Sequence, residues 1–523
     1  MNSHINTDEF LSTWGNFSII YLLIKLPPGS EAATYDVAEA YHTIPLHPSQ
    51  WPAAIVRVSD SLFCIDICAA FGAAPSSGVY GHVTDGIGPL EKWVDNHIFF
   101  RIRKTHLACY NSLRTSWNHM FTTQGINQTG SRLWYGGISP ITGQLEELSE
   151  DSSHALRDLS GNSPHSSHDF LFSSSMHDID ALSAELGILW ALEKDQPFQP
   201  TMTYIGFLWD LDRRTVSLSP AKVDKYLTAI HKWQKRRTHT LQDVQELYGK
   251  LLHASSAIPQ GHAYLTGLES MLSTGGDKPF LPHRAGEGVA QDLDWWSHSL
   301  QSGRVSRPIL PPLPLTNLLA FSDASSGIGI GITIGNRWRA WRLIPGWKTR
   351  NGKRDIGWAE AIGFELLIYS LTSLFSARAN VLIHGDNTGV VEGWWKSRHR
   401  NKAVNLVFRR IHDFLANLPF CLEVNTTYVA SAANPADGPS RGIYPPHHLL
   451  LPPIAIPSPI CEFIIDCTAP LSAAELRHLC DGNYTAPAAK FIRSVLAVQH
   501  AAARAIATQF EEDAIISQTL CNY

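Results

Sequence analysis

The chain has 523 residues, 44% of them hydrophobic, with a formal net charge of −5. That length allows roughly two to four domains with packed cores. The charge excludes a globally basic nucleic-acid-binding protein, so any contact with phosphates must be local. The eight cysteines have no two pairs at zinc-ligand spacing and read as reduced thiols of an intracellular protein, in cytoplasm or nucleus. The apolar run Ile19–Leu26 is too short to cross a bilayer, and no positive cluster precedes it, so neither a membrane partner nor a secretory signal is expected.

In chain order, TYDVAEAYHTIPLHPSQWPAAIV (Thr34–Val56) reads as a strand with Asp36 near its end, and KWVDNHIFF (Lys92–Phe100) carries the pair Asp95-Asn96. The Ser/His-rich stretch Glu146–Ser175 reads as a flexible insertion. Thr203–Arg237 reads as a hairpin marked by Tyr204, Gly206, Phe207 and Trp209, then a helix begun at Pro220 with Lys232, Lys235 and Arg236 along it. Such a run is a solvated face or a phosphate-tracking surface. A helix over Gln242–Pro259 completes a helical connection, and PILPPLP (Pro308–Pro314) is a stiff linker.

Beyond it the chain alternates strand and helix. Strands are predicted at Asn317–Ser322, Gly327–Gly335 and Trp338–Ile344, then a helix at Trp358–Phe375 and a strand at Asn380–His384. A broken helical region, Asn387–Leu418, and a last strand, Cys421–Val429, follow. Gly327 to Ile332 alternate with the period of a strand. Ile362, Leu366 and Tyr369 form a helical stripe that Leu367, Leu371 and Leu374 widen. This is an α/β layer on a mixed sheet. The loop KSRHRNK brings Lys396, Arg398 and Arg400 beside Trp394-Trp395, a composition suited to stacking and phosphate attraction. After Arg441 come a Pro-rich connector and an alanine-rich helical tail (Ala473–Phe510).

Four carboxylates stand out in this part. Asp323 ends an apolar run, Glu360 opens a helix, Asp386 ends a second apolar run and Asp437 lies in a Pro/Gly-rich turn. Carboxylates gathered at a sheet edge, facing solvent, repel one another unless divalent cations neutralise them, and Mg²⁺ takes oxygen ligands of this kind. Two ions about 4 Å apart can clamp the attacking and leaving oxygens of a phosphodiester. The pattern points to a nuclease.

The motifs FSDAS, GWAEAIGFELL, HGDNTGVV and NPADGPSRG resemble the ribonuclease H domain of retroelement reverse transcriptases over Leu315–Tyr444. The resemblance implies that Asp323, Glu360, Asp386 and Asp437 bind two Mg²⁺ (or Mn²⁺) ions and that the substrate is the RNA strand of an RNA–DNA hybrid. The family's histidine before the last aspartate has no counterpart in Val429–Asn434.

Upstream, Thr34–Val56, FGAAPSSGVYGHVTD (Phe71–Asp85), Lys92–Phe100 and Thr203–Arg237 resemble the palm, template-contacting segment, metal-binding hairpin and thumb of the same family. Asp36 and Asp95 would hold a second pair of metals, and Tyr41 would gate deoxynucleoside triphosphates over a template-primer duplex. Asn96 stands where the family has a second aspartate, and Met1–Ser30 has Lys25 as its one basic residue, which implies shortened fingers.

The arrangement resembles fungal retroelement proteins of the DIRS-like type. It implies an α/β and α+β chain: a partial fingers and palm over 1–145, the insertion and palm remainder over 146–200 and a thumb and connection over 201–307. A ribonuclease H-like domain over 308–445 and a connector and tail over 446–523 follow. Two readings stay open: an enzyme whose nuclease outlives its polymerase, and a non-catalytic relic or co-opted nucleic-acid-binding protein.

Overall fold

The computed structural model describes residues 19–38, 48–49, 55–57, 62–65, 90–93, 96–123, 127–129, 132–138, 145–151, 155–161, 166–185, 188–275, 280–303, 305–311, 313–349, 353–466, 468, 490–493 and 495. Tyr41, Asp95, the segment Phe71–Asp85 and nearly all of the tail lie outside them. The chain divides into two compact units. The first is Met1–Arg237 with Ser256–Ile258 and Trp296–Pro312; the second is Thr238–Ser255, Pro259–Trp295 and Leu313–Tyr523. Among the described residues no helix is long and apolar enough to cross a membrane.

In the first unit, Glu31–Asp36 lies between Asn96–Arg101 and Gln196–Gln199 in an antiparallel four-stranded sheet completed by Leu90–Trp93. A second sheet holds the hairpin Thr201–Tyr204 and Phe207–Asp210, with Thr215–Leu218 and Ser306–Pro308 beside it. Ile205 and Gly206 both have positive φ, at 47° and 84°, as a tight two-residue hairpin turn requires. The helix Pro220–Gln234 follows, with Tyr226, Ile230 and Trp233 buried.

The stretch read as a flexible insertion is ordered where it is described. Leu145–Asp151 pairs with Arg132–Ile138, and Phe172 is fully buried. The C-terminal end of the stretch is held by Arg101, 2% exposed. Its guanidinium lies 2.6 Å from both Glu31 Oε2 and Asp169 Oδ1, so a buried charge ties the polar stretch to the sheet.

The second unit is built on a six-stranded mixed sheet. Its elements are β1 (Thr316–Ala324), β2 (Gly329–Ile334), β3 (Arg337–Leu343), α1 (Ile356–Thr372), β4 (Ala379–Gly385), α2 (Thr388–Trp395), α3 (Lys402–Ala416), β5 (Leu422–Tyr428), α4 (Asp437–Ser440) and β6 (Ile464–Asp466). The strand order is β5-β4-β1-β2-β3-β6; β4 runs parallel to β1 and β5, and the other pairs are antiparallel.

The glycine-isoleucine alternation gives β2 two faces. Ile330 and Ile332 are fully buried in the same core as Ile362, Leu366 and Leu367 of α1, each worth about 1.5–3 kcal/mol of burial. Gly331, on the opposite face, lies under α4. Asp355, Asn387 and Asn401 cap α1, α2 and α3 by accepting backbone N–H bonds, which fixes where each helix starts. Leu374, expected to widen the stripe of α1, lies beyond the helix end and is 46% exposed.

Two boundaries differ from the expectation. The sheet unit extends past residue 445, because β6 pairs with β3 and the fully buried Arg339 reaches Asp466 Oδ2 at 2.5 Å. Much of the helical connection also belongs to this unit. Asn405 and Arg409 of α3 donate to the Ala263 carbonyl at 2.7 and 2.8 Å, and Arg409 pairs with Asp292 at 2.7 Å. A buried arginine requires a distant carboxylate, and spacing along the chain does not show which one.

Candidate metal centre and nucleic-acid contacts

Asp323 is the penultimate residue of β1, opposite Gly331 of β2. Glu360 lies in the second turn of α1. One turn on, a Cβ on Gly363 would stand 3.1 Å from Ile330, so the missing side chain lets the helix press on the sheet. Asp386 follows the last residue of β4, where the Asn387 cap turns the chain. Three elements converge in this way, and one ligand oxygen each from Asp323, Glu360 and Asp386 lie within 4.8 Å of one another.

Asp437 stands outside that group. It begins α4, and its Oδ1 lies 2.7 Å from Arg441 Nε, yet its charge acts on Asp323. The carboxylates are less open than the sequence suggested: Asp323 is 4% exposed and Glu360 8%. Their position beneath α1 and α4 has an electrostatic cost. Burial pushes the Glu360 carboxyl up to about 9, and the charges of Asp323 and Asp386 add to this. Burial likewise lifts Asp323 to about 6, reinforced by Asp386 and Asp437, against a hydrogen bond from Ser440.

Two hydroxyls that the motifs did not single out hold this arrangement. Ser440 donates to Asp323 Oδ2, and Ser431 donates to Asp386 Oδ2 at 2.5 Å. Asp386 Oδ1 is buried with no hydrogen-bond partner among the described residues. A buried, unpaired carboxylate oxygen is unfavourable unless a cation meets it. Three hard oxygen donors, one from each of Asp323, Glu360 and Asp386, fit Mg²⁺ or Mn²⁺. The Asp437-to-Ser440 and Asp437-to-Arg441 spacings, one helical turn, were the available signal for Ser440 and Arg441.

The other predicted residues are dispersed. Asp36 is directly across from Asn96 in the sheet of the first unit, and its Oδ1 lies 2.8 Å from the Lys194 ammonium. Lys232, Lys235 and Arg236 are exposed along and just beyond their helix. Arg400 is also exposed. Lys396 pairs with Glu392 at 3.2 Å, and Arg398 lies 2.7 Å from Glu269, so that guanidinium is not freely available to phosphate as expected.

No family model matches the chain, and no curated protein matches it. Among solved structures it is similar to a foamy viral protease-reverse transcriptase in complex with an RNA/DNA hybrid, with TM-score 0.36 and 11% identity over 78% of this chain and 45% of that one. The same viral protein with dsDNA gives TM-score 0.35 and 12% identity over 80% of this chain and 72% of that one. The chain spans about half the length (45%) of the first of these.

Proposed function

We propose that the second unit is a divalent-metal-dependent nuclease of the ribonuclease H type, cutting the RNA strand of an RNA–DNA hybrid. The observation that carries this reading is the meeting of one oxygen each of Asp323, Glu360 and Asp386 within 4.8 Å. Bound Mg²⁺ or Mn²⁺ would activate a water and stabilise charge on the scissile phosphate. Asp323 and Asp386 would be the principal ligands, held in register by Ser440 and Ser431. Glu360 would complete the set and orient the 2′-hydroxyl, and Asp437 would assist from α4. Glu360 must release its proton before it can ligate.

For the first unit we propose a palm and thumb derived from a retroelement reverse transcriptase, with synthesis weak or absent. Asn96 supplies an amide where a carboxylate would serve a hard cation better. Lys194 neutralises Asp36 at 2.8 Å. These two features favour the relic reading for this unit alone.

The deciding experiment is hybrid cleavage by the purified chain with Mg²⁺ or Mn²⁺. Wild type cuts, and Asp386→Asn lowers the rate by about 10²–10³-fold, the scale of losing one transition-state electrostatic contact, while hybrid binding is kept. A wild-type chain that binds hybrid without cutting under either ion makes the protein a nucleic-acid-binding relic.

A further inference from the structure

The seam between α2 and β5 ends in two exposed hydroxyl side chains beside the acidic centre, and the cleavage chemistry uses neither. At one level of the seam the Trp394 indole donates to the Val424 carbonyl at 2.8 Å. One turn back along α2 and two residues on along β5, the Thr426 hydroxyl donates to the Val391 carbonyl at 3.1 Å. The same step, about 4.5 Å of helix and about 6.6 Å of strand, sets Thr388 opposite Tyr428. Thr388 is exposed and Tyr428 is 55% exposed. Neither hydroxyl has a hydrogen-bond partner among the described residues.

Both residues flank Asp386. Tyr428 pairs with Gly385 across the β4–β5 ladder, so it stands one strand, about 4.8 Å, from the residue before Asp386. Three residues further on, Ser431 returns to Asp386 Oδ2. Thr388 follows Asp386 by two residues, just beyond the Asn387 cap.

We infer that Tyr428 and Thr388 form a ribose subsite for the nucleotide next to the scissile phosphate, with the ring against the sugar and the two hydroxyls on its 2′-hydroxyl. Thr426, one level deeper and 5% exposed, finds its partner within the protein; the open level takes one from the ligand. A 2′-hydroxyl donates and accepts and is what tells RNA from DNA, and tyrosine and threonine hydroxyls also do both. The pair offers no cation, so it reads the sugar and not the phosphate. The placement rests on the nuclease proposal, but the binding is measurable without cleavage.

The test is fluorescence anisotropy of the full chain in EDTA, with an RNA–DNA hybrid and a DNA duplex of the same sequence. Wild type binds the hybrid about tenfold more tightly, as two neutral hydrogen bonds would give. Tyr428→Phe and Thr388→Val each lower that ratio about threefold, and the double variant abolishes it.

Equal affinity of wild type for both duplexes, or a ratio unchanged in the double variant, overturns the inference. So does an equal loss of affinity for hybrid and DNA in Tyr428→Phe, because the hydroxyl would then not read the 2′ position. Failure of wild type to cut under Mg²⁺ or Mn²⁺, with the ratio and its loss as expected, counts against the nuclease proposal and leaves this one standing.

Discussion

Gly331 faces Asp323 across the β1–β2 ladder, and its missing side chain is what lets α4 reach the carboxylate. A Cβ at Gly331 would lie 2.6 Å from the Ser440 backbone nitrogen and 2.7 Å from the Ala436 carbonyl. Neither backbone atom can yield without moving the helix that carries Ser440 and Asp437. We expect Gly331→Ala to destabilise the unit by about 1–3 kcal/mol and to lower metal-dependent cleavage more than tenfold. Gly327→Ala, where no atom lies within 4 Å of the added carbon, serves as the control. Urea unfolding and cleavage rates of the two variants check the difference.

The raised carboxyls give metal-free stability a defined sign with pH. Glu360 and Asp323 ionise at about 9 and about 6 in the folded chain and lower when unfolded, so the folded state holds more protons between those limits. Stability is therefore full at acidic pH and falls as pH rises, through about 6 for Asp323 and about 9 for Glu360. In EDTA the melting temperature should drop between pH 5 and pH 9. Saturating Mg²⁺ should offset the drop at high pH, where binding to the folded state alone raises stability. Differential scanning fluorimetry with and without metal reads both effects.

Removing one repulsive charge should show the same physics without metal. Asp386→Asn relieves both Asp323 and Glu360, whose carboxyls it raises. We expect the variant to melt a few degrees above wild type in EDTA at pH 8, where about 1 kcal/mol shifts Tm by roughly 2–4 °C, and to gain little from Mg²⁺. Parallel melts at pH 5 should show a smaller difference.

The edge strand β6 makes a further prediction. Arg339 is fully buried and depends on Asp466 and the Leu451 carbonyl. Asp466→Ala should cost about 3–5 kcal/mol, as expected for an uncompensated buried charge. The double change Arg339→Met with Asp466→Leu should recover much of it. Chemical denaturation of wild type and the two variants measures the difference.

For the first unit, Asn96→Asp should raise primer extension at least about tenfold over wild type, or about 1.4 kcal/mol of barrier, if the metal site is the defect. Extension that stays at background in the variant places the defect elsewhere.

Much of the second unit was legible because its periodicities are local. The alternation from Gly327 to Ile332 announces a strand, the spacing of Ile362, Leu366 and Tyr369 a helix, and the carboxylates stand where those elements start or stop. Several long-range facts left no trace in local patterning. The pairing of Arg101 with Glu31 and Asp169 orders a stretch whose composition reads as a loop. The pairing of Arg339 with Asp466 recruits Ile464–Asp466, beyond the Pro-rich run, as a sixth strand, and the bond from Asn405 to Ala263 assigns connection helices to the second unit. The sequence determined which residues are carboxylates and which elements carry them. Only the tertiary structure decided that three of them meet while Asp437 stands aside with Arg441, because convergence depends on how closely α1 and α4 approach the sheet over Gly363 and Gly331, and on the burial that raises Glu360 and Asp323.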